Sequence, residues 1–185
     1  MKKGICIDID GVLAEWHAHF LDYVELKTGV RCPIKDFKGW EAGILSESDT
    51  KKLHDQYLEE GFYQTVPVMD GAVPGLKYLR ALRDIVICTA RSPTNTQMMA
   101  DTKFWLRLHH LHNYELVFER NKVQMCQSRG IDELVEDNIG TLKKAADNNM
   151  RPYGMLRPYN TDEIRADNKI FPIQSLAELL FYFLK

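Results

Sequence analysis

The sequence predicts an α/β fold: a parallel sheet covered by helices and interrupted after its first strand by a small helical insertion. Two observations carry this expectation. Short apolar runs alternate along the chain with helical patterns, the arrangement that forces strands to pair in parallel beneath crossover helices. One stretch, residues 15–71, breaks the alternation, with two helical patterns flanking an irregular segment and no strand pattern.

Taken in order, Gly4 to Ile9 reads as the first buried strand. The insertion follows, with helical patterns at Trp16 to Lys27, closed by Gly29, and at Ser48 to Glu60, closed by Gly61. A helix over Val73 to Leu82, with Pro74 in its first turn, leads into a strand at Ile85 to Cys88. Pro93 to Leu108 reads as a helix capped by Ser92, and strands follow at Tyr114 to Phe118, Glu133 to Val135 and Tyr153 to Leu156. Helices at Thr141 to Asn148 and Leu176 to Leu184 complete the pattern, the last opened by a capping box of Ser175 and Glu178. Residues 1–14 and 72–185 are therefore expected to form the core and residues 15–71 a cap over the strand ends, where open α/β sheets bind ligands.

At 185 residues and 45% hydrophobic content, the chain is long enough for one packed core with a modest insertion. A net charge of -2 and the lack of any long Lys/Arg run exclude the electrostatic footprint of a nucleic-acid polymer binder. No signal-peptide pattern or apolar run of membrane-span length occurs, so a cytoplasmic, soluble protein with no membrane partner is expected, and a homodimer stays open. Cys6, Cys32, Cys88 and Cys126 show no C-x-x-C spacing and are expected to be free thiols. His109, His110 and His112 end a helix, where cations suit the dipole, and are read that way in preference to a zinc site.

Four chemical clusters lie at the ends of predicted strands. The first strand runs into Asp8-Ile9-Asp10-Gly11-Val12, which places two carboxylates side by side. Such a pair holds a cation or shares a proton, and oxygen ligands without His or Cys favour a hard ion such as Mg2+. Asp-Gly is equally an ordinary turn sequence. After the second strand, Thr89-Ala90-Arg91-Ser92 offers a hydroxyl and helix amides to an anion, although Ser92 also serves as a plain N-cap. After the third, Lys122, with Arg120 in reserve, offers a cation to offset the carboxylates and a phosphate. The fourth strand ends in Glu136-Asp137-Asn138, where Asp137 could complete a metal's oxygen shell with Glu136 helping directly or through water.

The order acid pair, hydroxyl, cation, acid pair at one sheet edge resembles the haloacid dehalogenase superfamily, through Asp8-Ile9-Asp10-Gly11-Val12, Thr89, Lys122 and Glu136-Asp137. A closer resemblance is to the 5'(3')-deoxyribonucleotidases. It rests on the opening Asp8 to Trp16, on Gly39-Trp40, on Gly61-Phe62-Tyr63, on Pro67 to Ala72, and on Ile87-Cys88-Thr89 and Arg120-Asn121-Lys122. Where that family often has Ser-Pro after the threonine, this chain has Ala90-Arg91, and the paired aspartates become Glu136-Asp137.

The resemblance implies a Rossmann-like core with a helical cap and a Mg2+-dependent phosphatase acting on nucleoside monophosphates, deoxyribonucleotides first. Its catalytic residues would be Asp8, Asp10, Thr89 and Lys122, and its metal ligands Asp8, Asp10, Glu136 and Asp137. Trp16, Phe37, Trp40, Phe62 and Tyr63 would offer stacking surface to a base, at about 1 to 3 kcal/mol per base, with Trp16, Trp40 and Phe62 as the chosen contacts and Arg91 as a polar contact. Equally, in a small cap, such aromatics are core packing. The alternatives are a phosphatase for sugar phosphates or phosphoserine, one for nucleic-acid ends, which the acidic balance disfavours, and a non-catalytic binding module, whose signature would be loss of Asp8, Asp10 or Lys122.

Overall fold

The computed structural model describes residues 2–37, 42 and 45–184. Among the described residues, six parallel strands form one sheet in the order β3-β2-β1-β4-β5-β6: β1 Lys3–Ile7, β2 Arg83–Thr89, β3 Glu115–Phe118, β4 Glu133–Glu136, β5 Arg151–Met155 and β6 Phe171–Ile173. β1 sits at the centre, with Ile5 paired to Ile85 on one side and Glu133 on the other, and Ile7 to Ile87 and Val135. Because the chain first builds outward through β2 and β3 and then returns to add β4 beside β1, the order reverses there. The crevice beyond the carboxyl ends of β1 and β4 is the expected ligand position in such sheets.

Between β1 and the core helix α3 (Ala72–Leu82), the chain forms α1 (Trp16–Thr28), α2 (Glu47–Glu59) and two short 3₁₀ turns. α1 ends where Gly29 adopts φ 71° and returns its N–H to the Glu25 carbonyl. Phe20, Tyr23 and Tyr57 are buried between α1 and α2, and the rings of Phe20 and Tyr57 meet edge to face at 5.5 Å. The remaining helices are α4 (Thr96–Leu108), α5 (Lys122–Ser128), α6 (Ile139–Asp147), α7 (Thr161–Ala166) and α8 (Leu179–Phe183). Among the described residues, no helix is long and apolar enough to cross a membrane.

Several boundaries differ from expectation. α4 starts at Thr96, three residues late, because the Asn95 side chain accepts from Met98 N at 2.9 Å and is the cap, while Ser92 bonds to the Thr94 hydroxyl instead. At the C-terminus, Ser175 caps nothing. Glu178 reaches past it to accept from Gln174 N, which leaves a 3₁₀ turn before α8. Strand β6, with Pro172 at its centre, is tolerated because it is the sheet's edge. All four cysteines are buried, Cys6, Cys88 and Cys126 are free thiols, and His109 ends α4 with its ring 4.6 Å from Trp105.

At the opposite edge of the sheet, Glu133 is buried at the start of β4, and Arg83 at the start of β2 holds both of its oxygens while lying 3.8 Å over the Phe183 ring. Arg83→Met is expected to destabilise the fold by about 3 to 5 kcal/mol, because it strands a buried charge. The double variant Arg83→Met/Glu133→Leu should recover most of that loss in chemical denaturation, and a single variant as stable as the parent would refute the assignment.

Candidate active site

β1 ends at Ile7, and Asp8, whose N–H still donates to the Val135 carbonyl at 3.1 Å, is the first residue beyond the strand. The chain then turns sharply, with the Leu13 and Ala14 N–H groups both returning to the Ile9 carbonyl. Gly11 has φ +79°, and a Cβ there would collide with the Asp137 carboxylate, so both the turn and the close approach require glycine. Lys122, the first residue of α5, directs its ammonium between Asp8 Oδ1 and Glu136 Oε2, at 2.6 Å from each.

Carboxylate oxygens of Asp8, Glu136 and Asp137 lie within 4.8 Å of one another, and all three residues are buried. Three acids thus face one ammonium. Burial, and then Glu136, push the Asp8 carboxyl well above its usual range. Burial also raises Glu136, and burial together with Asp8 pushes Asp137 up to about 7. Burial opposes the charge on Lys122, but Asp8 and Glu136 outweigh it and hold the ammonium protonated. An all-oxygen set with surplus negative charge and no His or Cys suits a hard divalent cation.

Asp10, the fourth expected ligand, is not in this cluster. Its carboxylate accepts two hydrogen bonds from Arg91, Nε to Oδ2 at 2.9 Å and Nη2 to Oδ1 at 2.6 Å, and bidentate pairing turns it away from the other acids. Arg91 lines the cavity, and it commits three of its five N–H donors, two to Asp10 and one to Thr102 Oγ1 at 2.9 Å. Thr89 is fully buried at the end of β2, and its hydroxyl accepts from Arg91 N at 3.2 Å. It shapes this loop from behind, and the cavity is lined there by Ala90, Arg91 and Ser92.

A cavity of about 1040 Å³ opens above these groups. Trp16, Phe37 and Tyr63 line it, and Lys51, His54, Asp55 and Leu58 of α2 contribute from the cap. Phe62, expected here, instead packs on Tyr23 at 4.8 Å and Tyr57 at 5.4 Å. Its neighbour Tyr63 takes the lining position, hydrogen-bonded through its hydroxyl to His54 Nε2 at 2.6 Å. Trp40 lies outside the described residues.

No sequence motif marks the support behind Asp137. Tyr159, in the loop after β5, donates its hydroxyl to Asp137 Oδ2 and lies 3.1 Å from His17 Nδ1. Burial pushes His17 down to about 4, so its imidazole is neutral. Asn160 donates to the Asp137 carbonyl at 2.7 Å and to the Met155 carbonyl at 3.0 Å, and Arg157 pairs with Glu15. The only available signal was that this loop leaves another strand at the same sheet edge.

The family model described as 5' nucleotidase, deoxy (pyrimidine), cytosolic type C matches residues 2–169. A comparison with curated proteins gives no match. Among solved structures, a haloacid dehalogenase-like hydrolase from Streptococcus pneumoniae is 14% identical with a TM-score of 0.71 over 98% of each chain. A family IA variant 3 hydrolase from Entamoeba histolytica is 16% identical, with a TM-score of 0.63 over 95% of this chain and 94% of that one. CbbY from Rhodobacter sphaeroides, solved in complex with phosphate, is 14% identical, with a TM-score of 0.57 over 97% and 96%. At such identities these likenesses establish the fold.

Proposed function

The chain belongs to the family of 5' nucleotidase, deoxy (pyrimidine), cytosolic type C, and from that premise we propose that it hydrolyses nucleoside monophosphates, deoxyribonucleotides first, through a phosphorylated Asp8. It is a phosphoric monoester hydrolase of the haloacid dehalogenase type. The observation that carries the proposal is Lys122 set between Asp8 and Glu136 at the floor of a cavity of about 1040 Å³, within the size range of small-molecule sites.

Mg2+, held by Asp8, Glu136 and Asp137, would supply the positive charge that keeps these acids ionised and offsets that of the phosphate. Asp8 attacks phosphorus, forming an Asp8–phosphorus bond as the ester P–O bond breaks, while Lys122 screens the charge between nucleophile and phosphate. The leaving oxygen takes a proton from Asp10. In the second half, Asp10 removes a proton from the water that hydrolyses the aspartyl phosphate, releasing phosphate and restoring Asp8.

Trp16, Phe37 and Tyr63 supply flat apolar surface on which a base stacks. Such surface tolerates different bases, and an apolar sugar site rejects an added hydroxyl by about 10²-fold at most. dUMP and dTMP are therefore expected to be hydrolysed with a modest advantage over the matching ribonucleotides and a large one over sugar phosphates. A kcat/KM panel of these substrates, with and without Mg2+, tests this. A preference for sugar phosphates or phosphoserine over every nucleotide would overturn the assignment of substrate class.

A further inference from the structure

We infer that Arg91 is the positioning residue for Asp10: its guanidinium holds the proton-exchanging carboxyl against the leaving group, so loss of Arg91 impairs protonation of the leaving group more than attack on phosphorus. The inference rests on the phosphatase reading above.

The geometry separates two uses of a buried arginine. One kept for an incoming anion leaves its donor fork open toward the cavity. Here three of its five N–H donors are taken: Nε and Nη2 bond both oxygens of Asp10, and Nη1 bonds Thr102 Oγ1. Thr102 is itself tied to the Met98 carbonyl at 2.7 Å, and the Tyr63 ring lies 4.5 Å from the Arg91 Cζ. The guanidinium is thus fixed from three sides.

Exposure points the same way. The Arg91 side chain is 2% exposed and that of Asp10 22%, so the arginine is the more enclosed of the two and Asp10 keeps the more open edge toward the cavity that both line. Charge supplies the reason for a clamp. Asp10 follows Asp8 by two residues on a tight turn, and without a partner it would add a fourth negative group to a cluster with three acids and one ammonium. Bidentate pairing balances its charge while it is ionised and sets its plane, which a lysine's single point charge cannot do, and the proton it gives the leaving oxygen is the one it takes from water in the hydrolytic half of the cycle.

When the aspartyl phosphate forms, the electron pair of the broken P–O bond stays on the leaving oxygen, which collects the Asp10 proton. A leaving group that is stable as an anion has little need of that proton. kcat/KM covers only the steps through departure of the leaving group, so it isolates this transfer from later hydrolysis of Asp8 phosphate. Phenyl and 4-nitrophenyl phosphate carry no base and differ mainly in leaving-group basicity.

For Arg91→Met, kcat/KM is expected to fall about 100-fold on phenyl phosphate and less than about 5-fold on 4-nitrophenyl phosphate. Arg91→Lys should fall between parent and Arg91→Met. Thr102→Val, which removes one anchor and leaves the ion pair, should shift the ratio in the same direction by a few-fold, and decides the matter with Arg91→Lys if Arg91→Met does not fold. Equal losses on both esters would overturn the inference and return Arg91 to phosphate contact or packing. A loss confined to nucleotides would also overturn it and assign Arg91 to base recognition. A parent enzyme inert on every phosphate ester would instead remove the phosphatase reading, and the inference with it.

Discussion

Asp8→Asn is expected to abolish both turnover and formation of the phosphorylated enzyme, a loss of about 10³-fold or more in kcat. An amide oxygen is a poor nucleophile, and the resulting phosphoryl adduct could not return to a carboxylate. The fold should survive, because the change removes one of three buried acids that face a single ammonium while Lys122 keeps its bond to Glu136 at 2.6 Å. A melting temperature no lower than the parent's would separate loss of chemistry from loss of structure. Rapid-quench trapping of phosphoenzyme, beside steady-state kcat, makes the test. Retention of more than a few per cent of kcat, equivalent to about 2 kcal/mol of barrier or less, would rule the covalent route out.

Chelation is expected to abolish activity and Mg2+ to restore it, with Zn2+ a poor substitute in an oxygen-only site. Mg2+ should also raise the melting temperature without substrate, because binding only the folded state at about 100 times Kd adds about 2.7 kcal/mol. Asp137→Ala should raise the half-saturating Mg2+ concentration at least tenfold. Tyr159→Phe, which removes the hydroxyl that orients Asp137, should raise it in the same direction by a smaller factor. Calorimetric titration of the apo protein reads both without activity. Unchanged affinity in Asp137→Ala, or full activity in excess chelator, would sink the site.

Asp8, Glu136, Asp137 and Lys122 could be singled out from the sequence because Asp8 and Asp137 directly follow buried strands, Glu136 ends one, and Lys122 comes after the short turn that follows β3. In a parallel sheet the strand ends share one edge, so four apolar runs that end in chemical groups already state which groups converge. The helical cap was readable for the same reason, as the one stretch where helical spacing displaces the alternation. Elements of few residues were not. β6 and α7, three and six residues long, carry too few positions for any period to show.

What the sequence determined by itself was the strand order of its chemistry: which residue types reach the sheet edge and in what succession, because local hydrophobic spacing dictates where strands stop. Tertiary structure alone decided where the side chains point. Asp10 and Arg91 are 81 residues apart, and their pairing holds the Asp10 carboxylate apart from the cluster of Asp8, Glu136 and Asp137. Phe62 and Tyr63 share one short 3₁₀ turn, and packing against Tyr23 and Tyr57 selects which of them faces the cavity. Tyr159 meets His17 across 142 residues. A side chain's direction is set by the partners that satisfy its charge or fill its neighbouring space, and those partners come from distant segments brought together only when the sheet and its cap have assembled.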